Sequence, residues 1–418
     1  MQLKTKSIKG MTLALLMLIA AMAGCIGSED ETTEEEETKA AFLDASDAGY
    51  TYASDVDNHR SLMQDLCDIK TAASENNWAE AKSIYTEGKN AEKSDGSFRT
   101  LAGFAAAEGK NHNYDTFYNQ TGAIGAHIMH AMDGTGDFEG ASDTVRYQGI
   151  AKLTANMGMV GYTIHELNAA VAKADAGNTD NDSGAPHNWD EGWAFFHGPD
   201  EHWSCSPAYT MKKRAADYGT ETDGVSNALS ASEQAMVDGL AALQAGDKTA
   251  YDAATETVVK NIIITYSQAT LKYTMKMDSN ESAAKYQAEG YAFWKTMEAY
   301  AAPYTDGCYN MAVHKVFMMG DIDASTCDAF MWTQHQGQGD YMCYNTVTHQ
   351  VSTDVSNETE CDGYAAAYFQ DMYGADKINE ILNLKDASKH GTSYDIAPHL
   401  ERVWAHYGIT ADEIGTYA

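Results

Sequence analysis

Two glutamates stand in nearly the same hexapeptide. The first copy reads Glu191-Gly192-Trp193-Ala194-Phe195-Phe196 and the second Glu289-Gly290-Tyr291-Ala292-Phe293-Trp294, 98 residues later (289 − 191 = 98). A carboxylate set among Trp, Phe and Tyr is partly desolvated and needs a cation, a hydrogen-bond donor or a proton. Gly inside a helix costs about 1 kcal/mol relative to Ala, so the Gly after each acid marks the close approach of another helix or of a ligand. Metal ligation is the chemistry that would use such an acid twice; bracing two equivalent helices is the structural alternative. If the copies pack about a pseudo-twofold axis, both acids face one cavity.

Imidazoles cluster around these acids in the sequence. His127 and His130 are three apart, on one helix face. His165 closes a helical stretch just before Glu166, while His187 and Asp190 precede the first hexapeptide. Imidazole and carboxylate on facing helices are what a helical bundle uses for transition metals. Tyrosine is abundant, at 25 residues, and phenolate suits ferric iron because both are hard. Tyr162 and Tyr291 fall within the repeats. For any one of these residues the plainer reading is a satisfied polar group or a ring filling a wet helix interface. HExxH, GxSxG, P-loop and Rossmann glycine patterns are all absent, so no enzyme is expected.

The elements that must carry these residues read as helices. Alanine is frequent, only five prolines occur, and apolar residues recur at three and four, as in Val258, Ile262, Tyr266 and Ala269. The fold expected is all-α: a multi-helix bundle of duplicated helical units, about 136–200 and 246–300. Each unit is a helix, a polar loop and an aromatic-rich helix. From about 304 to 362 the texture turns to Cys, Tyr, Gly and Asn, which reads as a disulfide-stapled, loop-rich region.

The N-terminus reads as an export address. Lys4, Lys6 and Lys9 precede a short apolar stretch that ends Met22-Ala23-Gly24-Cys25, and this resembles a prokaryotic lipobox. Residues 1–24 are then a lipoprotein signal peptide, with lipid on Cys25. Residues 25–41 form an acidic tether, and 42–418 a helical domain. The expected location is the extracytoplasmic face of the cell membrane. Apart from Cys25 there are six cysteines, an even number for an oxidising compartment. Cys308, Cys327, Cys343 and Cys361 are close enough in sequence for two local bridges, leaving Cys67 and Cys205 to pair by elimination. Without the three leader lysines, 25 basic residues face 61 acids, a net charge of −36. That field repels nucleic acid and attracts cations, although a salty habitat accounts for it equally well.

Three segments resemble the algal Fe-assimilation family, also called low-iron-inducible periplasmic proteins and similar to the diatom phytotransferrins. They are Asn77-Trp78-Ala79-Glu80-Ala81-Lys82 and its continuation, Ala169 to Asn178, and Asn188-Trp189-Asp190-Glu191-Gly192-Trp193-Ala194-Phe195. The likeness spans roughly residues 45–300. It implies extracytoplasmic iron binding for assimilation, with Fe(III) held beside a carbonate co-ligand; delivery to a metal permease is a further expectation beyond the resemblance. Only the Trp-Asp-Glu motif is carried over to residues. The second hexapeptide keeps Glu289 but lacks the preceding Asp, which favours Glu191 with Asp190. The candidate ligands are therefore Glu191, Glu289, Asp190, His165, Tyr291, Tyr162, His127 and His130. Two rival readings stand beside this. Gly125-Ala126-His127-Ile128-Met129-His130 is similar to the Gly-x-His-x-x-Glu of imelysin-like helical metal-binding proteins, but ends in His. The other rival is a non-catalytic surface adhesion or scaffold protein.

Overall fold

A computed structural model describes residues 46–105, 113–334 and 339–417. The leader, Cys25 and the whole acidic tether lie outside these residues. Among them no helix is long and apolar enough to cross a membrane.

Helices dominate. An opening pair, α1 (Leu62–Ser74) and α2 (Trp78–Glu87), is joined by a short turn in which the Asn77 side chain caps α2. Next come α3 (Ala123–Asp133), α4 (Asp143–Lys152), α5 (Met159–Asp175) and α6 (Ala185–Phe196). A π-helical turn, Leu153–Gly158, makes α4 and α5 one continuous rod. The chain continues as α7 (Pro207–Tyr218), α8 (Asn227–Ala245), α9 (Lys248–Met275) and α10 (Ala283–Ala301). Beyond the C-terminal sheets come α11 (Tyr373–Ile381) and α12 (Ala397–His406), and a one-turn helix, Ala411–Ile414, follows.

The duplicated units are the two helical hairpins α5–α6 and α9–α10. Each hexapeptide lies on the second helix of its hairpin, and its aromatics Trp193, Phe195, Phe196, Phe293 and Trp294 are buried in one continuous core. The glycines after the acids serve helix packing. A Cβ on Gly192 would stand 3.1 Å from Leu167 of α5, and one on Gly290 would stand 2.8 Å from Leu382.

The C-terminal region corrects the all-α, loop-rich expectation. It contains six strands: β1 (Gly307–Asn310), β2 (Lys315–Met318), β3 (Phe330–Gln334), β4 (Tyr341–Asn345), β5 (Val351–Ser352) and β6 (Tyr364–Gln370). They form two antiparallel sheets, ordered β6-β1-β2 and β3-β4-β5. This region is itself a tandem repeat. Cys308-Tyr309-Asn310 with His314 returns 35 residues on as Cys343-Tyr344-Asn345 with His349 (343 − 308 = 35). The two copies exchange their third strands, because β3 pairs with the hairpin of the second copy and β6 with that of the first.

Buried Asn310 and Asn345 play the same part in each copy. Each accepts two backbone N–H bonds across its own hairpin turn and donates to a carbonyl just before a cysteine of the other copy, Asn310 to Glu360 before Cys361 and Asn345 to Thr326 before Cys327. Disulfides join Cys67 to Cys205, as elimination suggests, and form two local bridges among the clustered four, which the structure pairs as Cys308 with Cys327 and Cys343 with Cys361. Half-cystines make up four of the eight residues of this module's small separate core. Strands held by bridges and Asn side chains need little alternating apolar pattern, which is why the sequence reads as loop.

Candidate metal centre

The first hexapeptide sits on α6, and what surrounds its acid comes from three places. α6 itself supplies His187, one turn before Glu191. The one-turn helix Asp57–Arg60, strapped across α6, supplies His59. α5 supplies Glu166. His59 Nε2 lies 3.2 Å and His187 Nε2 3.3 Å from the same oxygen, Glu191 Oε1. Asn188 Nδ2 donates to Glu166 Oε2 at 2.5 Å and to Glu191 Oε2 at 3.4 Å, tying the two acids together. Aromatic rings wall the inner side: Phe195 is 5.6 Å from His59, 5.0 Å from Phe104 and 5.4 Å from Tyr162.

Burial pushes the Glu191 carboxyl up, but the hydrogen bond from His187 and the charges of His59 and His187 outweigh it and hold the group at about 2. Burial raises the Tyr162 phenol, and the nearby charges of Glu166 and Glu191 raise it further. Two buried oxygens, the Tyr85 hydroxyl and Asn188 Oδ1, have no hydrogen-bond partner among the described residues.

Asp190 does different work. Its carboxylate accepts four hydrogen bonds, from Tyr50 Oη (2.7 Å), Ala53 N (2.9 Å), Ser54 N (2.8 Å) and Ser54 Oγ (2.8 Å). With these four donors its oxygens are occupied, and they pin residues 50–54 against α6. Burial, its largest influence, moves it up to about 6 against the pull of these donors. Ser54 Oγ also meets His187 Nδ1 at 2.9 Å. An ionised Asp190 only accepts, so the single Ser54 proton points to it and Ser54 must accept from His187 Nδ1–H. Nε2 of His187 is thereby aimed at Glu191, as a donor when protonated and as a free lone pair when not. His165 stands on the rim, 4.0 Å from Glu166 Oε1 and 5.8 Å from the Tyr162 ring.

The second hexapeptide has no such imidazoles. Lys285 stands where His187 does in the first copy, at the same 98-residue offset (285 − 187 = 98). Burial raises the Glu289 carboxyl, while Lys152, Lys285 and Arg214 draw it down. The groups acting on Glu289 differ from those acting on Glu191, so the two acids do not share a cavity lined by common ligands. Protein cations surround Glu289 where histidines surround Glu191.

His127 and Tyr291 belong to a third cluster. Tyr291 Oη donates to Asp137 Oδ2 at 2.6 Å and meets His127 Nδ1 at 3.2 Å. Burial and the Lys295 charge lower His127 to about 4. Lys295, Tyr118 and Asn379 all donate to Glu298 in the same region. His130 packs against Gly136, its Nδ1 without a partner among the described residues. A lysine already neutralises the acid here, and the polar atoms largely satisfy one another.

Of the sequence candidates, the structure thus brings together Glu191, Asp190, Tyr162 and His165, and sets Glu289, His127, His130 and Tyr291 elsewhere. His59 was not legible as part of the site, because nothing in Asp57-Asn58-His59-Arg60 marks it. Glu166 and His187 carried a signal, as neighbours of His165 and of the Trp-Asp-Glu motif. No group of three or more His, Cys, Asp or Glu among the described residues is set out as a metal cage. The site instead offers two N–O edges of 3.2 and 3.3 Å on one carboxylate oxygen. Donors around an ion with bonds of about 2.0–2.1 Å stand roughly 3 Å apart, so these edges are close to coordination spacing.

This is a helical, disulfide-braced protein with a buried carboxylate–imidazole cluster on a duplicated helical hairpin. The sequence model of the low iron-inducible periplasmic proteins matches residues 15–315, and the chain belongs to that family. The match ends inside the first hairpin of the C-terminal module. No curated protein and no solved structure matches the chain.

Proposed function

We propose that this protein binds ferric iron outside the cytoplasm for iron assimilation, and that the first repeat holds it. The observation that carries this is the convergence of His59 and His187 on Glu191 Oε1, beside Glu166, in a chain of a low iron-inducible family. Glu191, Glu166, His59 and His187 are the ligands proposed, with Tyr162 at hand as a phenolate once a cation offsets the burial and the nearby acids that raise its pKa. Such a mixed oxygen and imidazole set suits iron. A bound carbonate would fill the remaining coordination positions. Asp190 serves as the residue that sets His187, and His165 as a rim group. Without metal the two imidazoles hydrogen-bond to the acid; with metal they give up those protons and bind through the freed Nε2 atoms. The lipid on Cys25 would keep the iron near a membrane permease.

The test is calorimetric titration of the purified chain with ferric nitrilotriacetate, with and without bicarbonate. Binding that is lost in Glu191→Gln and kept in Glu289→Gln and His127→Gln supports the assignment. Loss in His127→Gln with Glu191→Gln spared would favour an imelysin-like site on α3. Binding unaffected by all three variants would leave the acids structural, as in a scaffold protein.

A further inference from the structure

The chain crosses between the main helical core and the module's own core twice. It leaves between Ala302 and Cys308 and returns between Tyr364 and Ala375. Both crossings meet at Thr305 and Asp306. The Thr305 carbonyl accepts from Gly374 N at 2.9 Å, and its hydroxyl accepts from Ala375 N at 3.1 Å. The Asp306 carbonyl accepts from Met319 N at 2.9 Å, and its carboxyl accepts from Met372 N at 2.7 Å. Met372, just before α11, has a left-handed backbone with φ 49°. A residue with a side chain keeps that conformation only where its neighbours impose it. The neck is thus a strained turn held by an acid at the foot of a helix.

That acid faces a second one. Gly307 of β1 pairs with Gln370 of β6, so the next register position sets Asp306 against Asp371. Their carboxyls hydrogen-bond to each other. Ionised carboxylates only accept, so this bond contains a proton. Asp306 is 5 % exposed, while Asp371 is open to solvent. Burial is the first cause that raises Asp306; the Met372 amide draws it down, and Asp371 and Asp321 raise it further, to about 7. The cations nearby are Arg402 of α12, whose Nε donates to the Met318 carbonyl at 3.2 Å, and Lys377 of α11, paired with Glu380 at 3.0 Å. His399 and His406 of α12 lie against Tyr373 and Tyr304, and burial lowers both imidazoles, which keeps them mainly neutral at pH 7.

We propose that Asp306 and Asp371 form a pH-sensitive clasp at the neck, which holds the module against the helical body while one proton is shared and slackens when both acids ionise. Ionisation removes the carboxyl–carboxyl bond and sets two like charges side by side, one of them buried. Relief comes from moving the Asp306 carboxylate out to water, which gives up its bond to Met372 and frees the strained turn. The two local disulfides keep the module itself intact, so the movement is confined to the neck. A released aspartate titrates near 4, so between about 4 and 7 the closed form binds the extra proton. The clasp's contribution is complete below about pH 4 and is lost as pH rises through about 7.

Hydrogen–deuterium exchange of the purified, iron-free chain tests this, read on the peptide that contains Met372, Gly374 and Ala375. Asp306→Asn keeps both hydrogen bonds, because its amide donates to Asp371 and its oxygen accepts from Met372, and it cannot ionise. Dividing the wild-type rate by the variant's rate therefore removes the chemical pH dependence of exchange. The ratio is expected near one at pH 5.5 and roughly tenfold higher at pH 8.5. Asp371→Asn, at an exposed position, offers an amide that donates to an ionised Asp306, so at pH 8.5 it exchanges more slowly than wild type. A ratio that is the same at both pH values, or exchange as fast as wild type in Asp371→Asn, overturns the clasp. Because iron is absent throughout, failure here leaves the first-repeat assignment untouched.

Discussion

Asp190 and His187, three residues apart on α6, are joined through the Ser54 hydroxyl, which donates to Asp190 Oδ2 at 2.8 Å and meets His187 Nδ1 at 2.9 Å. The motif acid therefore acts on the site at one remove. It fixes which nitrogen of His187 carries a proton and which one faces Glu191. Outer partners of this kind typically change metal affinity 10- to 100-fold. Ser54→Ala is expected to weaken ferric iron binding by about that factor with the helical circular dichroism unchanged. Calorimetric titration of the variant checks it, and an unchanged affinity would mean that the ring needs no support.

The proposed metal binding at His59 and His187 would displace protons from Glu191's partners, which would link it to pH. Iron binding in two weakly buffering solutions of different ionisation enthalpy is expected to show proton release. Apparent affinity should fall as pH drops, because protons then compete with the metal for the imidazoles. A binding enthalpy independent of the buffer would argue against imidazole ligation.

The third cluster gives a stability signal instead. His127 is held down at about 4, first by burial and then by Lys295. An unfolded histidine titrates near 6.5, so between these values the unfolded chain binds the extra proton. The stability contribution is complete above about pH 6.5 and is lost as pH falls towards 4. From pH 7 to pH 5 the wild type should lose up to about 2 kcal/mol that His127→Gln retains. Urea unfolding at the two pH values measures it.

Helix packing behind the site is tight. A Cβ on Gly239 of α8 would stand 2.2 Å from the Trp189 ring, which is fully buried and donates to the Met236 carbonyl at 2.8 Å. Gly239→Ala must displace that ring, at a cost of about 1–3 kcal/mol. Since Trp189 directly precedes Asp190, iron affinity should fall along with Tm. A variant with wild-type values of both would show that α6 can shift without consequence.

The Cys67–Cys205 bridge closes a loop with a sequence separation of 138. It fastens α1 beside the turn that leads into α7. Replacing both cysteines with serine is expected to cost about 2–5 kcal/mol, seen as a lower midpoint in urea.

The sequence carried the helical class, the repeated hairpin and the bridge pattern because each is written in local signals: apolar spacing, a recurring hexapeptide and cysteine proximity. It carried Glu191 through the Trp-Asp-Glu motif. Two things escaped. Asp190 looks like a ligand in sequence, since nothing local shows that residues 50–54, far along the chain, occupy its oxygens. His59 looks ordinary, because only the folding of its one-turn helix across α6 brings it to Glu191. The strand exchange in the C-terminal module is also non-local, although the Cys-Tyr-Asn repeat that announces it stands in plain view at Cys308 and Cys343.

The most direct measurement is an anomalous difference map at the iron edge from crystals of the ferric-loaded protein. The account predicts a single strong peak in contact with Glu191 and within bonding distance of the Nε2 atoms of His59 and His187. A peak beside His127 and Tyr291, a peak beside Glu289, or no peak in crystals that retain iron would contradict it.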